Sequence, residues 1–317
     1  MTRHEQAKIY MAKLEFVGAK DRYKFKLLDN DEVALVQVKN IFDQEEFRLP
    51  KFVTGIEGLR DTPLFYNCNF KKITLENCKI YSSRMEDMIK TCNMLEEINL
   101  FNIDTYKLRR TSNMFNNKNV KSINFVGFDT SKIVSMREMF RCCENLINVD
   151  LSNFNTSNVE TMREMFYRCE SLKELDLSNF NTSSVKDMGL MFWKCVSLNK
   201  LDLSNFDTSN VETMKDMFYG CESLKELDLS NFNTSSVKDM RFMFCGCNNL
   251  MKIDLSNFDM HNVSKVDYMF GYCKNLKDIS IRENYLCNDV KKYCMYNNCN
   301  KSAAKKLGKK IIVANRR

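Results

Sequence analysis

The segment LDLSNFDTSNVETMKDMFYGCESLKE (residues 201–226) is followed directly by LDLSNFNTSSVKDMRFMFCGCNNLMK (residues 227–252). The same unit precedes it as LDLSNFNTSSVKDMGLMFWKCVSLNK (residues 175–200). A fixed period of 26 residues is typical of a solenoid, whose units stack because no single unit can bury a core alone. The six clearest units begin at Ile123, Val149, Leu175, Leu201, Leu227 and Ile253.

Weaker copies of the unit precede the clear ones and extend the repeat to about nine units. Two of them begin at Ile73 and Ile98, and a degenerate unit begins near Phe47. Ahead of these, YKFKLL and VALVQV alternate in polarity on either side of DNDE, which predicts a β-hairpin. We therefore predict an N-terminal cap over residues 1–46, a solenoid over 47–278 and a basic C-terminal cap over 279–317.

The apolar pattern changes period within each unit. In LKELDL (residues 172–177) Leu175 and Leu177 alternate with polar residues, which predicts a short strand. Thr182 or Ser183 can then cap a helix, and Ser157 with Glu160 forms a capping box in a sister unit. The pattern predicts an α/β leucine-rich-repeat solenoid with one short parallel strand and one short helix per 26-residue unit. The apolar residues at helical spacing are Val185, Met188, Met191, Phe192, Cys195 and Leu198.

Charge is distributed unevenly along the 317-residue chain, whose net charge is +7. Residues 149–278 carry 14 basic and 19 acidic side chains, whereas residues 279–317 carry 10 basic and 2 acidic ones. Such a basic tail can contact nucleic acid or anionic lipid. We favour a solubilising cap, because no aromatic residues interleave with the basic ones in KSAAKKLGKKIIVANRR. No nucleic-acid partner is therefore expected.

Several function classes receive no support from the sequence. No stretch approaches the roughly 20 apolar residues of a membrane span, and the start lacks the apolar core of a signal peptide. These features predict a cytoplasmic protein. The two histidines, His4 and His261, are far apart in the sequence, and no glycine-rich phosphate or dinucleotide motif is present. We therefore expect no enzyme activity and no cofactor.

The 14 cysteines mostly follow the repeat. Free cysteine packs as a small apolar residue, so we predict buried, reduced thiols in a cytosolic setting. The remaining cysteines lack paired C-x₂-C spacing, so no structural metal site is expected. The ladder cysteines, spaced by 26, are Cys143, Cys169, Cys195, Cys221, Cys247 and Cys273.

The shared pattern MFxxCxxLxxLDLSxFxTSxVxxM closely resembles the BspA-type leucine-rich repeat of bacterial surface proteins and mycoplasma lipoproteins. The resemblance covers roughly residues 64–281. It implies a right-handed solenoid with a parallel sheet on one face, an adhesive or surface-exposed role, and no catalytic residues. This chain differs from the bacterial surface members because it shows neither a signal peptide nor a lipid-attachment cysteine near its start.

An acidic column flanks the predicted strands and is the first candidate binding site. Strands lie ~4.8 Å apart, so its carboxylates would repel, raise one another's pKa values or attract cations. It would suit a basic partner or Ca²⁺. The alternative is a solvated face, because the next column alternates in sign. The acidic column consists of Asp150, Asp176, Asp202, Asp228 and Asp254.

An aromatic column, Tyr167, Trp193 and Tyr219, is the second candidate. Tyr and Trp are typical interface anchors, although these rings can also pack on one another between units. Together the columns predict a non-catalytic scaffold that recognises a protein partner through a concave sheet and its aromatic flank. The alternative function is a host-facing adhesin, or an antigenically variable repeat protein, that reaches the surface by an unrecognised route.

Overall fold

Stacked solenoid turns with short, mostly parallel strands form most of the chain, as the repeat predicts. The computed structural model describes residues 1–16, 20–58 and 62–281. The chain divides into two compact units, Met1–Phe154 and Asn155–Arg317, which together contain about nine solenoid turns. The predicted helices and strand of the basic tail lie outside the described residues, and the division into caps and solenoid stays a prediction.

A helix and a hairpin open the first unit. Helix α1 (Arg3–Phe16) begins after Thr2, whose hydroxyl accepts the N–H of Glu5 at 3.1 Å while the Glu5 carboxylate accepts the N–H of Thr2 at 2.8 Å. This reciprocal capping box satisfies N–H groups at the helix start, and sequence reasoning missed the helix. Strands β1 (Tyr23–Leu27) and β2 (Val33–Lys39) pair antiparallel where the alternation predicts a hairpin.

The other strands of the first unit pair in parallel with neighbouring turns. Their bounds are β3 Glu46–Arg48, β4 Gly55–Ile56, β5 Phe65–Tyr66, β6 Lys72–Glu76, β7 Lys79–Ile80, β8 Glu97–Phe101, β9 Ser122–Val126 and β10 Asn148–Val149. One five-stranded sheet has the order β10-β9-β8-β6-β3. The other begins with the hairpin and joins β2 to β4 and β5, and β4 to β7.

In the second unit the strand segment LDLS is paired only in part. Strand β11 (Glu174–Asp176) pairs with β12 (Lys200–Asp202), and β13 (Lys252–Leu255) pairs with β14 (Asp278–Ile281), both in parallel. The intervening turn at Leu227 forms no strand. Side chains bridge this gap, because the Asn231 amide donates to the carbonyl oxygens of Leu203 at 3.0 Å and Phe206 at 2.7 Å.

The predicted helix in each unit is wrong, because the segment that follows Thr182 and its equivalents forms a series of turns. Two residues in each of these segments adopt left-handed backbone angles, for example Leu190 with φ 56° and Lys194 with φ 54°. A right-handed helix cannot contain such residues. The apolar spacing instead reflects bonds such as the N–H of Met191 to the carbonyl of Met188, three residues back.

Backbone groups that a helix would pair internally reach the next turn instead. The N–H groups of Met162, Glu164 and Phe166 donate to carbonyl oxygens of the following turn at 2.9–3.1 Å. The threonines predicted to cap helices also bond to the next turn, since the Thr182 hydroxyl donates to the Asp207 carbonyl at 2.8 Å. Parallel pairing therefore continues through this half of each turn, by the bridges Thr161–Asp187, Asp187–Thr213, Thr213–Asp239 and Asp239–Lys265.

Two columns of buried phenylalanine fill the core of the second unit, and they show how the turns are spaced. On the strand side, the Phe206 and Phe232 rings are nearly parallel with centroids 6.4 Å apart. On the opposite side, the Phe192 and Phe218 centroids are 5.5 Å apart. The phenylalanine rings are therefore more widely spaced on the strand side than on the opposite side. The expectation that the strands line a concave face stays a prediction.

Candidate functional site

The predicted aromatic column lies on the more closely spaced side of the second unit. Tyr167 and Trp193 stack face to face with centroids 4.4 Å apart and planes 2° apart, and Tyr219 follows Trp193 at 5.4 Å. All three side chains are half-buried, and the Lys194 ammonium lies 4.9 Å from the Trp193 centroid. The rings thus pack on one another and also reach the surface. Trp193 is stacked on both sides, by Tyr167 and Tyr219, which leaves its edge for contact with a partner.

Left-handed backbone positions place further large side chains beside this column. Phe242 and Tyr268 both have φ above 50° and stack with centroids 5.2 Å apart. Tyr272, also left-handed with φ 60°, is 48% exposed. Such angles favour glycine, because a side chain there costs ~1–2 kcal/mol. Gly220 and Gly246 occupy the positions equivalent to Tyr272 without that cost, so the turn does not require a bulky residue there. No glycine occupies the positions equivalent to Phe242 and Tyr268 in the second unit.

Differences between the turns concentrate on the same surface. Residues 175–188 and 227–240 are identical, whereas the positions of Glu164 and its equivalents hold five different residue types in five turns. We call this surface the variable stripe. Its residues are 163, 164, 167 and 168, with their equivalents 189, 190, 193 and 194; 215, 216, 219 and 220; 241, 242, 245 and 246; and 267, 268, 271 and 272.

Several charges on the variable stripe have partners inside it or beside it. The Arg163 guanidinium lies 3.1 Å from the Glu164 carboxylate, and the Lys215 ammonium lies 3.6 Å from the Asp216 carboxylate. Burial raises the pKa of Asp216 above its usual range, with Lys215 opposing the shift. The stripe therefore offers aromatic edges among neutralised ion pairs, which suits a mixed polar and apolar protein surface better than a strongly charged ligand.

The acidic column lies on the strand side and serves turn formation. Asp176, Asp202 and Asp228 each accept the N–H of the serine two residues later at 2.9 Å. Hydrogen bonds from these serines lower the pKa of all three aspartates. The expectation that mutual repulsion raises these pKa values is wrong, because a local hydrogen bond to the charged form outweighs it. Asp150, in the first unit, accepts the N–H of Ser152 in the same way.

The widened spacing on the strand side leaves a shallow depression of about 450 Å³ in the second unit. Leu201, Leu227 and Met251 contribute apolar surface to it, and Asp228 and Asp254 lie at its edge. Asp254 also accepts a serine N–H, that of Ser256, at 2.9 Å. Within the described residues, no group of three or more histidine, cysteine or acidic side chains is placed to hold a metal ion.

Comparison of the turns could have revealed residues that sequence reasoning missed. Phe242 and Tyr268 extend the aromatic surface, and the signal for them was the change of residue type at one repeat position. In the first unit, Arg84 and Arg110 lie 26 residues apart, a full period, and are neighbours in a parallel bridge. Neither pair belongs to the predicted columns.

None of the helices in the described ranges is long and apolar enough to cross a membrane. No curated protein matches the chain. A leucine-rich cell surface protein from Faecalibacterium prausnitzii A2-165 is similar in structure with a TM-score of 0.30 and 13% identity, over 82% of this chain and 93% of that one. That likeness is too low to carry an argument.

The family described as "Mycoplasma protein of unknown function, DUF285" matches this chain three times, in overlapping segments. The segments are residues 83–200, 109–226 and 198–308, and together they extend over more than half of the chain. Their lengths and overlaps agree with the repeat described above. The chain therefore belongs to the family of mycoplasma proteins of unknown function, DUF285.

Proposed function

We propose that this chain is a non-catalytic scaffold of the BspA-like leucine-rich-repeat type that recognises a protein partner through the variable stripe. The observation that carries the proposal is the concentration of differences between turns on one surface, where large side chains occupy left-handed positions that glycine would occupy at lower cost. Strain of this kind is often retained at functional sites. Trp193, at the middle of the aromatic column, is the expected anchor.

The affinity of a captured partner tests this proposal. We expect Trp193→Ala to weaken binding by about 30-fold, because an anchor of this type contributes ~2 kcal/mol or more. The loss should be similar at 0.1 M and 1 M salt, because an aromatic contact is not screened by ions as an exposed charge pair is. Lys186→Ala, an exposed change outside the stripe, serves as the control and should bind like the wild type.

A binding site at the acidic column would give the opposite result in the same affinity measurement. If it were the binding site, Asp202→Asn with Asp228→Asn would weaken binding, and affinity would fall steeply with salt as the Debye length shrinks from ~10 Å to ~3 Å. We expect neither, since these carboxylates already serve the turns. A Trp193→Ala protein that keeps its fold and its affinity would contradict the proposal.

The cellular location is a separate part of the proposal. We favour the cytoplasm, which agrees with the free cysteines among the described residues. The alternative is display on the cell surface as a host-facing adhesin, a role that the BspA resemblance suggests. Protease treatment of intact cells distinguishes the two, because a displayed protein would be digested and a cytoplasmic one would be protected.

A further inference from the structure

A cluster of cationic side chains lies on the first unit, away from the variable stripe. Arg84 and Arg110 are partners in a parallel bridge, and the Ser83 carbonyl accepts the N–H groups of Arg109 at 2.9 Å and Arg110 at 3.1 Å. Residues paired across parallel neighbours lie ~4.8 Å apart with side chains on the same face. We call Arg84, Arg109 and Arg110, with adjacent Tyr106 and Lys107, the arginine patch.

The positive charges of the arginine patch are poorly compensated. The Arg109 guanidinium donates to the carbonyl oxygens of Tyr106 at 2.7 Å and Leu108 at 2.9 Å, which are neutral acceptors. Arg84 has a carboxylate, that of Glu86, at 3.8 Å. In the described part of the chain no carboxylate lies within ion-pair distance of Arg110. Like charges placed opposite each other on a sheet are destabilising, so an external anion would relieve this arrangement.

The fold does not require arginines at these positions. In the second unit the corresponding bridges join Thr161, Asp187, Thr213 and Asp239 in sequence, and the cation that follows them, Lys265, is bridged to Asp239. An arginine beside these bridges forms an ion pair, because the Arg241 guanidinium lies 2.6 Å from the Asp239 carboxylate. The Arg84–Arg110 pair is therefore a feature of the first unit, and the parallel pairing alone does not explain it.

We infer that the arginine patch binds a short acidic segment of a protein. The planar arginine side chain matches a carboxylate with two parallel hydrogen bonds, and Tyr106, which is 71% exposed, adds an aromatic contact. Acidic side chains lie beside the patch: the Glu86 carboxylate is 3.8 Å from Arg84, and the Asp104 carboxylate accepts the N–H of Tyr106 at 3.0 Å. A long polyanion or a lipid surface would meet these carboxylates, whereas a short acidic segment fits between them. This surface is additional to the variable stripe and does not rest on its proposed role.

The test measures binding of a fluorescent peptide with four consecutive glutamates by anisotropy in the full chain. Arg84→Ala with Arg110→Ala should weaken binding by about tenfold or more, because the variant loses the charge-assisted hydrogen bonds to the glutamates. The control, Lys8→Ala with Lys24→Ala, removes the same charge from exposed positions of the same unit and should change binding less than about twofold. Affinity in the wild type should fall as salt rises.

A variant that preserves the charge tests whether the paired hydrogen bonds of arginine contribute to binding. Arg84→Lys with Arg110→Lys keeps the charge but loses the paired hydrogen bonds, so we expect an intermediate loss; circular dichroism verifies that each variant is folded. Trp193→Ala should leave peptide binding unchanged, which separates this test from that of the proposed function. Equal losses in the Arg84→Ala/Arg110→Ala variant and in the Lys8→Ala/Lys24→Ala control would overturn the inference. The absence of wild-type binding at about 1 mM peptide would also overturn it. Tighter binding to phosphatidylserine vesicles or to an oligonucleotide through the same arginines would also overturn it.

Discussion

The ladder thiols donate to backbone carbonyls of the preceding turn. Cys195 Sγ lies 3.1 Å from the Phe166 oxygen, and Cys221 Sγ lies 3.1 Å from the Phe192 oxygen. Burial raises the pKa of both Cys143 and Cys195 to about 12. Because the thiolate is the reactive form, these side chains act as small packing groups with a weak hydrogen bond, as the repeat pattern predicts.

This shift predicts a loss of stability in alkaline solution. A thiol whose pKa rises from 9.0 to about 12 on folding holds its proton more tightly in the folded state. Its contribution to stability is therefore complete below pH 9 and is lost as the pH rises towards 12. We expect Cys195→Ala to lower the Tm at pH 8, but to show a smaller drop than the wild type between pH 8 and pH 10.5. Equal drops in both proteins would contradict the assignment.

Aspartate shows where reasoning from the sequence alone fails at this scale. The column of Asp176, Asp202 and Asp228 was identified correctly as exposed and regularly spaced. Repulsion between neighbours was expected to control their pKa values. Serine hydrogen bonds within each turn have the larger effect and lower them. A spacing pattern gives the distance between like charges, but it does not show which local donors point at each carboxylate.

At the scale of the element, the half of each unit predicted to be helical is built from left-handed turns. The apolar residues recur at intervals of three and four, which both an α-helix and successive three-residue turns produce. The sequence therefore could not separate the two structures. The strand half was predictable, because period-two alternation has no such competitor, although pairing near Leu227 is replaced by side-chain bonds from Asn231.

A glycine exchange distinguishes the left-handed turn from a helix. Lys194 has φ 54°, and its equivalents include Gly220 and Gly246. Relief of backbone strain, ~1–2 kcal/mol, should offset the chain entropy of glycine and the lost Trp193 contact. We expect Lys194→Gly to keep the wild-type free energy of unfolding within about 0.5 kcal/mol. The exposed control Lys186→Gly, which lacks a left-handed angle, should cost about 1 kcal/mol; similar costs of about 1 kcal/mol at both positions would favour a helix.

The phenylalanine columns should couple neighbouring turns. Phe206 is 2% exposed and stacks on Phe232 with planes 1° apart. Truncating a large buried aromatic residue typically costs ~3–5 kcal/mol, so we expect Phe206→Ala to lower the Tm strongly. Lys215→Ala, a surface change, should have a small effect. Similar thermal shifts for the two variants would show that the column does not stabilise the unit.

At the scale of the whole molecule, the period of 26 residues predicts how the chain tolerates deletions. Each turn contacts its neighbours through the same positions, so removing residues 201–226 should join equivalent faces. We expect this variant to fold with a reduced Tm and a cooperative transition, measured by circular dichroism. Removing residues 201–213, half a turn, would place strand positions against left-handed turns and should prevent folding. Comparable folding of both variants would contradict the stacking of equivalent turns.

The solenoid was predictable from the period, but the surfaces that bind partners were not. The six ladder cysteines and the Met-Phe pairs identify the core directly from the sequence, because buried positions keep the same residue in each turn. The variable stripe becomes a surface only after left-handed turns place Phe242 beside Tyr268. Likewise, Arg84 and Arg110 are separated by one period, yet their lack of compensation depends on where Glu86 and Asp104 lie.

The near identity of the turns also affects how the chain finds its register during folding. A folding chain that skips one turn, or pairs with a second copy of itself, would bury the same leucine, phenylalanine, methionine and cysteine side chains. The core therefore offers little energy to reject such a misalignment. Trp193 stacks on Tyr219, and Phe242 stacks on Tyr268, and these side chains differ from turn to turn. A chain that skipped a turn would lose some of these particular contacts. The residues proposed to recognise a partner would thus also let the chain distinguish its own turns.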